Sequence, residues 1–425
     1  MKINALYEHL KKCNHDVSTD TRKVIKGSIF FALKGKNFDG NDYAVEALKN
    51  GAAYCVVDNK SVSKLDQRIF LVDNVLETLQ KLSTYNRDKS KCYVIALTGS
   101  NGKTTTKELM YHILKIKYDV VCTSGNLNNH IGVPLTLLKI NPKADFAIIE
   151  MGANHLKEIE FLTGLINPDF GLITNFGKAH LEGFGSIEGV IKGKSELYDY
   201  LKKNNKIAFV NADDDIQNKF SGQKIAFSSN KKGLFNFKKN DRSKMSSLIY
   251  KNEIVKSNLT GKYNYSNIGF ATLIGLHFKI SINAIKKAIV NYVPSNNRSQ
   301  IISKDNKSII LDAYNANPTS MAAALNSFSE LNGDKTVILG DMFELGKVSS
   351  IEHKKIIDFC IENKFESIFF IGEEFYKHKN KFKIPLFFKN KSDFYKYTKE
   401  FFIKTENILI KGSRGMKLEE ILNKF

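Results

Sequence analysis

The stretch TGSNGKTTT, residues 98–106, combines glycines, a lysine and hydroxyl side chains in the manner of a phosphate-binding loop. A Walker A loop, G-x-x-x-x-G-K-[ST], would need a glycine where this chain has Leu97. The apolar run 92–98 predicts a strand that enters the loop, and the residues after it have a helical period. In that setting Gly99 and Gly102 would let backbone N–H groups approach phosphates at a helix N-terminus. The stretch therefore predicts nucleotide binding, although a glycine turn that caps a helix would look similar.

Four side chains extend this chemistry from phosphate to metal. Lys103 would reach the β- and γ-phosphates, and the Thr104 hydroxyl would bind Mg²⁺. Glu150 ends the apolar run DFAIIE, and ligand sites in open α/β sheets lie at such carboxyl ends. Because Mg²⁺ prefers oxygen ligands, Glu150 is a candidate ligand, while its alternative fate is contact with solvent. His180 follows another strand end, where a histidine is more often structural than a metal ligand.

Apolar strand-like runs alternate with amphipathic helical segments along most of the chain of 425 residues. This alternation predicts an α/β fold with parallel sheets covered by helices, and the length predicts two to three domains. The polar segments 86–91 and 294–300 are the candidate linkers, and 229–244 reads as a surface hairpin or loop. The predicted domains are residues 1–88, 89–298 and 299–425.

The net charge of +20 raises the possibility of nucleic-acid binding. The excess is almost all lysine spread along the chain, whereas nucleic-acid modules cluster their basic residues, so a lysine-rich solvated surface is favoured. The five cysteines have neither metal-ligand nor disulfide spacing, which suits a reducing compartment. No secretory signal or membrane-spanning run is found, so we expect a cytoplasmic protein without nucleic-acid or membrane partners.

The compressed loop T-G-x-N-G-K-T-T resembles that of the Mur ligases and folylpolyglutamate synthetases, which are ATP-dependent amide ligases. The resemblance implies ATP and two Mg²⁺ ions, with Thr104 and Glu150 on the first ion and His180 on the second. It also implies a carbamylated lysine in the K-x-E pattern, here Lys194, which would otherwise read as a solvated helix lysine. The implied catalytic residues are Lys103, Lys194 and His180, and the implied ATP-binding residues are Gly99, Ser100, Asn101, Gly102, Lys103, Thr104, Thr105, Asn264, Asn267, Arg298 and Asp312.

The segment GKYNYSNIGFA aligns with the family pattern G-x-H-N-x-x-N, but Tyr263 replaces the histidine. The first block resembles the family's uridine-nucleotide-binding domain, and the last block implies a Rossmann-like domain that binds the incoming amine. Implied substrate contacts are Ser18, Asp20, Thr21, Arg22, Lys34, Asn37, Phe38, Asp39, Gly40, Asn128, Asn129, Tyr314, Asn315, Asn317, Lys411 and Arg414.

LGDMFELG at 339–346 and KGSRGMKLEE at 411–420 resemble the family members that add D-alanyl-D-alanine. The expected substrates are therefore UDP-MurNAc-tripeptide and D-Ala-D-Ala, joined through an acyl phosphate by a monomeric enzyme of peptidoglycan synthesis. The alternatives are a diamino-acid-adding ligase, a folylpolyglutamate synthetase-like ligase and a nucleotide-gated binding protein. A uridine-type first domain disfavours the folate ligase, and the lack of a D-N-P-R segment disfavours the diamino-acid-adding one.

Overall fold

The computed structural model of the chain describes residues 1–231, 235–240, 245–294, 297–398 and 405–424. Their strands form sheets of four, seven, three, six and two strands, and three of these sheets are the centres of three α/β bodies. The predicted α/β class with parallel sheets is thereby confirmed. In the described part of the chain, no helix combines the length and apolar character needed to span a bilayer.

The first body is a parallel sheet in the order β1-β2-β5-β6 with a small hairpin, β3-β4, beside it. Leu6, Leu10, Leu79 and Leu82 of its helices pack on one face of that sheet, where they are fully buried. Its elements are α1 Ile3–Lys12, β1 Val17–Ser18, β2 Ile29–Phe31, β3 Lys34–Gly35, β4 Phe38–Asp39, α2 Ala44–Lys49, β5 Tyr54–Val57, β6 Ile69–Leu71 and α3 Val75–Lys89.

The predicted linker at 86–91 is wrong over its first four residues, because α3 continues through them to Lys89. Asn86 donates to the carbonyls of Leu137 and Ile140, both at 2.9 Å. Arg87 donates to the carbonyls of Ile166 (3.1 Å), Cys92 (3.3 Å) and Asn167 (2.9 Å), and its guanidinium pairs with Asp169 at 2.8 Å. These buried contacts attach the end of α3 to the second body. The polar residues of this segment therefore form the contact between the two bodies and not a turn.

The second body contains a fully parallel sheet in the order β13-β12-β11-β10-β7-β9-β8. Its central strands are buried on both faces, which explains why they read as unbroken apolar runs. Its elements are β7 Tyr93–Thr98, α4 Lys103–Leu114, β8 Val120–Cys122, α5 Gly132–Leu138, β9 Phe146–Glu150, α6 Glu158–Ile166, β10 Phe170–Ile173, α7 Leu181–Phe184, α8 Ile187–Lys203, β11 Ile207–Asn211, α9 Asp215–Asn218, β12 Lys224–Ser228 and β13 Phe235–Asn236.

An antiparallel sheet, β14-β15-β16, follows the parallel one and was not predicted. Part of this sheet lies in the segment 229–244, which was predicted to be a hairpin or loop. Residues 232–234 and 241–244 of that segment lie outside the described residues. Its strands and the next two helices are β14 Lys238–Lys239, β15 Met245–Tyr250, β16 Glu253–Thr260, α10 Asn264–His277 and α11 Ile282–Asn291.

The third body has a sheet in the order β17-β18-β22-β19-β20-β21, parallel except for the antiparallel pair β17-β18. Helix α12 begins with a capping box at Asn317 and a proline in its first turn. Its elements are β17 Gln300–Lys304, β18 Lys307–Asp312, α12 Pro318–Ser329, β19 Lys335–Gly340, α13 Ser349–Glu362, β20 Ser367–Ile371, α14 Glu373–Tyr376, β21 Leu386–Phe388, α15 Lys391–Thr398 and β22 Asn407–Lys411.

Candidate active site

The phosphate-binding loop lies between β7 and α4, as predicted, and its glycines have a steric reason. Gly102 has a φ of +78°, and a Cβ there would lie 2.4 Å from Oδ1 of Asn267. Gly99 has a φ of +142°, and a Cβ there would lie 2.0 Å from Oγ1 of Thr174. Both positions combine left-handed backbone with close packing, so only glycine fits them.

Hydrogen bonds from the residues that follow the neighbouring strand β10 fix the conformation of the phosphate-binding loop. Thr174 Oγ1 donates to the Asn101 carbonyl at 2.6 Å, and Asn175 Nδ2 donates to the same oxygen at 2.9 Å. The Asn101 N–H in turn donates to Asn175 Oδ1 at 3.0 Å, and Ser100 Oγ donates to the Gly177 carbonyl at 2.8 Å. Thr174 and Asn175 were not predicted as site residues, although a Thr-Asn pair directly after a buried strand is a usable signal.

Lys103 is the first residue of α4, and its ammonium donates to the carbonyls of Gly99 (2.8 Å) and Ser100 (3.4 Å). Burial in the cleft lowers the pKa of Lys103, a shift that the Glu150 carboxylate opposes and the Arg298 charge reinforces. The ammonium is therefore held inside the loop by neutral carbonyls, from which a phosphate oxygen can recruit it.

Thr104 and Glu150 are brought together as predicted. The Thr104 hydroxyl donates to Glu150 Oε2 at 2.9 Å, and Asn128 Nδ2 donates to Oε1 at 2.9 Å. A hydroxyl and a carboxylate oxygen in contact beside a phosphate loop suit Mg²⁺, which takes its remaining ligands from phosphate and water. Among the residues that the structure describes, no cluster of three or more His, Cys, Asp or Glu side chains could hold a metal ion. Asn128, predicted to face the substrate, thus bonds to the candidate magnesium ligand.

Lys194 is not the solvated lysine of the alternative interpretation, because only 1% of it is exposed. Its Nζ donates to the Ala153 carbonyl at 3.2 Å and lies 5.1 Å from the centre of the Phe184 ring. Burial and, secondarily, the charge of Lys103 lower the pKa of Lys194 to about 7. At neutral pH, about half of the protein molecules then carry Lys194 as the neutral amine, which is the form that reacts with CO₂. Lys192, two residues away, is exposed.

His180 Nδ1 contacts the carboxylate of Glu344, which the LGDMFELG segment of the third body carries. A hydrogen bond from His180 is the largest cause of a lowered pKa at Glu344. The contact is reinforced by the backbone, where the Glu182 N–H donates to the Glu344 carbonyl at 3.0 Å. The structure therefore assigns His180 a partner that the sequence analysis did not foresee.

Asn264 and Asn267 line the cleft, but their amides are used within the second body. Asn267 Oδ1 accepts from Thr106 Oγ1 at 3.1 Å, and its Nδ2 donates to Asn264 Oδ1 at 2.7 Å. Asn264 Nδ2 donates to the Thr260 carbonyl at 2.7 Å. These bonds tie the start of α10 to the helix of the phosphate loop. Tyr263, which replaces the family histidine, shares a hydrogen bond of 2.9 Å with the Ser299 hydroxyl.

Arg298, Asp312, Tyr314 and Lys411 come together on the third body's side of the cleft. The Arg298 guanidinium lies 3.6 Å from the centre of the Tyr314 ring. Asp312 accepts from the ammonium of Lys411 at 2.5 Å and from the Ser299 N–H at 3.1 Å. Lys411 is 1% exposed, so this carboxylate balances a buried charge.

The other predicted contacts of the third body divide between the cleft and the surface. Asn317 caps α12, and its Nδ2 also donates to Asn101 Oδ1 of the phosphate loop at 2.8 Å. Asn315 lines the cleft and accepts from the Ala316 N–H at 2.9 Å. Arg414 pairs with Glu419 and is not among the cleft-lining residues, so of the two candidates for the dipeptide carboxylate only Lys411 reaches the cleft.

The nine candidates of the first body lie apart from this cleft, at the end of β1 and in the segments that follow β1 and β2, which include the hairpin β3-β4. Hydrogen bonds from Arg22 lower the pKa of Asp20 to about 2. Lys34 pairs with Asp58 at 3.0 Å, and the Phe38 ring is 57% exposed. Ser18 is buried and accepts from the Ile25 N–H at 3.1 Å, which indicates a structural task. Thr21, Asn37, Asp39 and Gly40 belong to the same two segments.

The cleft has a volume of about 1110 Å³ and is lined by residues of all three bodies. From the first body it receives Gln80, whose amide donates to the His130 carbonyl at 3.0 Å. Asn129, also in the lining, accepts from the N–H groups of Ile131 and Gly132. The remaining predicted ATP-site residues in the lining are Ser100, Asn101, Gly102, Lys103, Thr104 and Thr105.

Comparison with known proteins matches each body to a family model. Residues 14–87 match the model described as Mur ligase family, catalytic domain, residues 97–275 match the Mur ligase middle domain, and residues 297–385 match the Mur ligase, glutamate ligase domain. The chain is 34% identical over 422 residues to UDP-N-acetylmuramoyl-tripeptide–D-alanyl-D-alanine ligase of Bacillus subtilis, an alignment that covers 96% of this chain and 92% of the relative.

Solved structures agree with this match. The crystal structure of MurF from Acinetobacter baumannii superimposes with a TM-score of 0.83 at 30% identity, covering 96% of this chain and 92% of the other. The MurF ligase of Thermotoga maritima in complex with ADP superimposes with a TM-score of 0.82 at 27% identity, covering 96% of both chains. With a relative 34% identical over nearly its whole length, the chain belongs to the Mur ligase family.

Proposed function

We propose that the chain is an ATP-dependent ligase that joins D-Ala-D-Ala to UDP-MurNAc-tripeptide and yields the pentapeptide precursor of peptidoglycan. The observation that carries the proposal is the contact of 2.9 Å between Thr104 and Glu150 beside a phosphate loop, inside a cleft that all three bodies line. Such a cleft can hold a nucleotide, an acid and an amine together. The relatives named for this reaction support the choice of substrates.

The reaction needs an acid to be activated, because a carboxylate is a poor acyl donor. In the proposed first step, an oxygen of the tripeptide's terminal carboxylate attacks the γ-phosphorus of ATP, and the bond to ADP breaks. The amine of D-Ala-D-Ala then attacks the acyl carbon, phosphate leaves, and the amine loses a proton. Lys103 would stabilise the negative charge on the transferring phosphoryl oxygens from its place in the loop.

Magnesium bound at Thr104 and Glu150 would neutralise phosphate charge and hold the nucleotide in position. Lys194 would carry a carbamate, formed when its neutral amine attacks CO₂ and releases a proton. The lowered pKa of Lys194 and its near-complete burial support this modification, because both favour the neutral amine. His180 as a ligand of a second ion remains part of the proposal, and there it would have to exchange its bond with Glu344.

The three bodies would divide the substrates among them. The loops after β1 and β2, in residues 1–88, would bind the uridine nucleotide, and residues 89–298 would bind ATP. Residues 299–425 would bind the dipeptide, with Lys411 supplying a cation in the cleft. The amide pair Asn101–Asn317 supports closure of this third body over the phosphates, which would protect an acyl phosphate from water. Action as a cytoplasmic monomer stays a prediction.

The test is phosphate release from ATP by the purified protein with UDP-MurNAc-tripeptide, with D-Ala-D-Ala either supplied or withheld. We expect release only when both substrates are present, and formation of the pentapeptide by mass spectrometry. Lys103→Met should reduce turnover at least 100-fold, in line with the loss of one preorganised donor to a developing charge. The exposed Lys192→Met is the matched control and should turn over like the parent.

The alternatives predict different outcomes in the same assay. Full activity with lysine or diaminopimelate and a UDP-MurNAc-dipeptide would identify a diamino-acid-adding ligase instead. Nucleotide binding without any substrate-dependent phosphate release would favour a nucleotide-gated binding protein. Either result would overturn the proposed reaction.

A further inference from the structure

Lys107 is a completely buried lysine that neither the sequence motif nor the proposed reaction explains. It lies in α4, four residues after Lys103, and its exposed fraction is 0%. Removing an ammonium from water costs several kcal/mol unless it is paired and hydrogen-bonded. Its Nζ has two close partners, the Thr123 carbonyl at 2.6 Å and Glu108 Oε1 at 2.9 Å.

Thr123 connects this lysine to the candidate magnesium ligand. It follows β8, the edge strand next to β9, and is 1% exposed. While its carbonyl accepts from Lys107, its side-chain oxygen accepts from the Glu150 N–H at 3.0 Å. The Thr123 N–H donates to the Ile148 carbonyl at 3.0 Å, so the residue is fixed at every polar atom.

Helix α4 thus reaches the end of β9 by two routes. Thr104 bonds directly to the Glu150 carboxylate at 2.9 Å. Lys107, one turn further along the same helix, reaches the backbone of Glu150 through Thr123. The two routes hold the Glu150 N–H and the carboxylate oxygen Oε2, and Asn128 holds the other oxygen, Oε1, so both the main chain and the side chain of Glu150 have defined partners.

We infer that Lys107 is a positioning residue for the magnesium site, acting through Thr123 on Glu150. The inference rests on the proposed function only in taking Thr104 and Glu150 as the place where Mg²⁺ binds with nucleotide. Partners that orient metal ligands commonly change metal affinity 10- to 100-fold when they are removed. A lysine that served only to fill the interior would change stability and leave the Mg²⁺ requirement unaltered.

The test is direct binding of β,γ-methylene ATP, measured by calorimetry in EDTA and then at rising Mg²⁺ concentrations. Lys107→Met keeps the side-chain length and removes the charge, while Thr123→Val keeps the shape and removes the acceptor for the Glu150 N–H. We expect the Mg²⁺ concentration for half of the affinity gain to rise about 10-fold or more in both variants. Affinity in EDTA should stay within about twofold of the parent.

Two controls separate positioning from general damage. Thr123→Ser retains the side-chain oxygen and should restore the parent's Mg²⁺ dependence, and Lys139→Met removes an exposed lysine of the same body. Thermal unfolding is measured for every variant. If Lys107→Met does not fold, Thr123→Val still breaks the route from Lys107 to Glu150, and an unchanged Mg²⁺ dependence in that variant overturns the inference.

An unchanged Mg²⁺ dependence in the folded variants would overturn the inference, whatever happens to their melting temperature. A parent whose nucleotide affinity ignores Mg²⁺ would overturn it too. No sugar nucleotide or dipeptide is present in this experiment, so the proposed ligation can fail in its own assay while this result stands.

Discussion

Burial of Lys194 should make the stability of the protein depend on pH in a defined direction. The folded-state pKa is about 7, against an ordinary value of 10.5, so between these values the unfolded chain binds more protons. Stability therefore rises with pH across this range, and the full penalty of burying the lysine is present below pH 7. At about 1.4 kcal/mol per pKa unit, the penalty is about 4 kcal/mol at pH 7 and about 2 kcal/mol at pH 9.

Lys194→Met removes the titrating group and keeps most of the side-chain volume. The variant also loses the bond to the Ala153 carbonyl and the contact with Phe184, and the part of these contacts that depends on the ammonium charge is already contained in the lowered pKa. Relative to the variant, the parent should therefore gain about 2 kcal/mol of unfolding free energy between pH 7 and pH 9. Lys192→Met, an exposed lysine on the same helix, should show no such change.

Urea unfolding followed by far-UV circular dichroism measures this difference, since the chain has no tryptophan to report by fluorescence. The buffers contain EDTA and are freed of CO₂, so that neither a metal ion nor a carbamate alters the titration. A parent-minus-variant difference that is the same at pH 7 and pH 9 would refute a lowered pKa at Lys194. It would also remove the chemical basis for expecting a carbamate there.

Two further changes test the loop and the joint between bodies. Gly102→Ala places a Cβ 2.4 Å from Asn267 Oδ1 at a φ of +78° and should lower ATP affinity at least 10-fold, measured by calorimetry. Gly125→Ala is its control, because it has a φ of +57° but open space around the added carbon, and it should bind ATP like the parent. Arg87→Met leaves buried carbonyls without their donor, while Asp169 keeps its bonds with Lys206 and the Val94 N–H, and should cost about 2–3 kcal/mol of unfolding free energy in urea. A loss below about 1 kcal/mol would mean that the buried guanidinium contributes little to the joint.

Local patterns predicted the phosphate loop well, because its strand, glycines and helix are neighbours in the sequence. The same is true of the contact between Thr104 and Glu150, since both residues end or follow buried parallel strands. Such strands bring their carboxyl ends to one edge of the sheet, so chemistry at strand ends can be read from the chain.

The errors arose where distant partners decide the outcome. The polar letters of 86–91 resemble a turn, but carbonyls of residues 51 to 80 positions away along the chain hold Asn86 and Arg87 in a helix. Lys194 reads as solvated because its burial depends on the packing of Phe184 and Ala153 around it. Lys107 had no local signal at all, since its partner Thr123 lies 16 residues further along the chain, directly after β8.

The joint at the end of α3 has a consequence for substrate length. Helix α3 packs on the first sheet and ends beside the second body. There the Arg87 guanidinium, in the last turn of the helix, donates to the carbonyls of Ile166 and Asn167. The joint therefore fixes the distance between the loops after β1 and β2 and the phosphate loop. If those loops bind the uridine nucleotide as proposed, a peptide stem one residue too short would leave its carboxylate out of reach of the phosphate. Length can then be selected by the spacing of two rigid parts, without any side chain that reads the peptide itself.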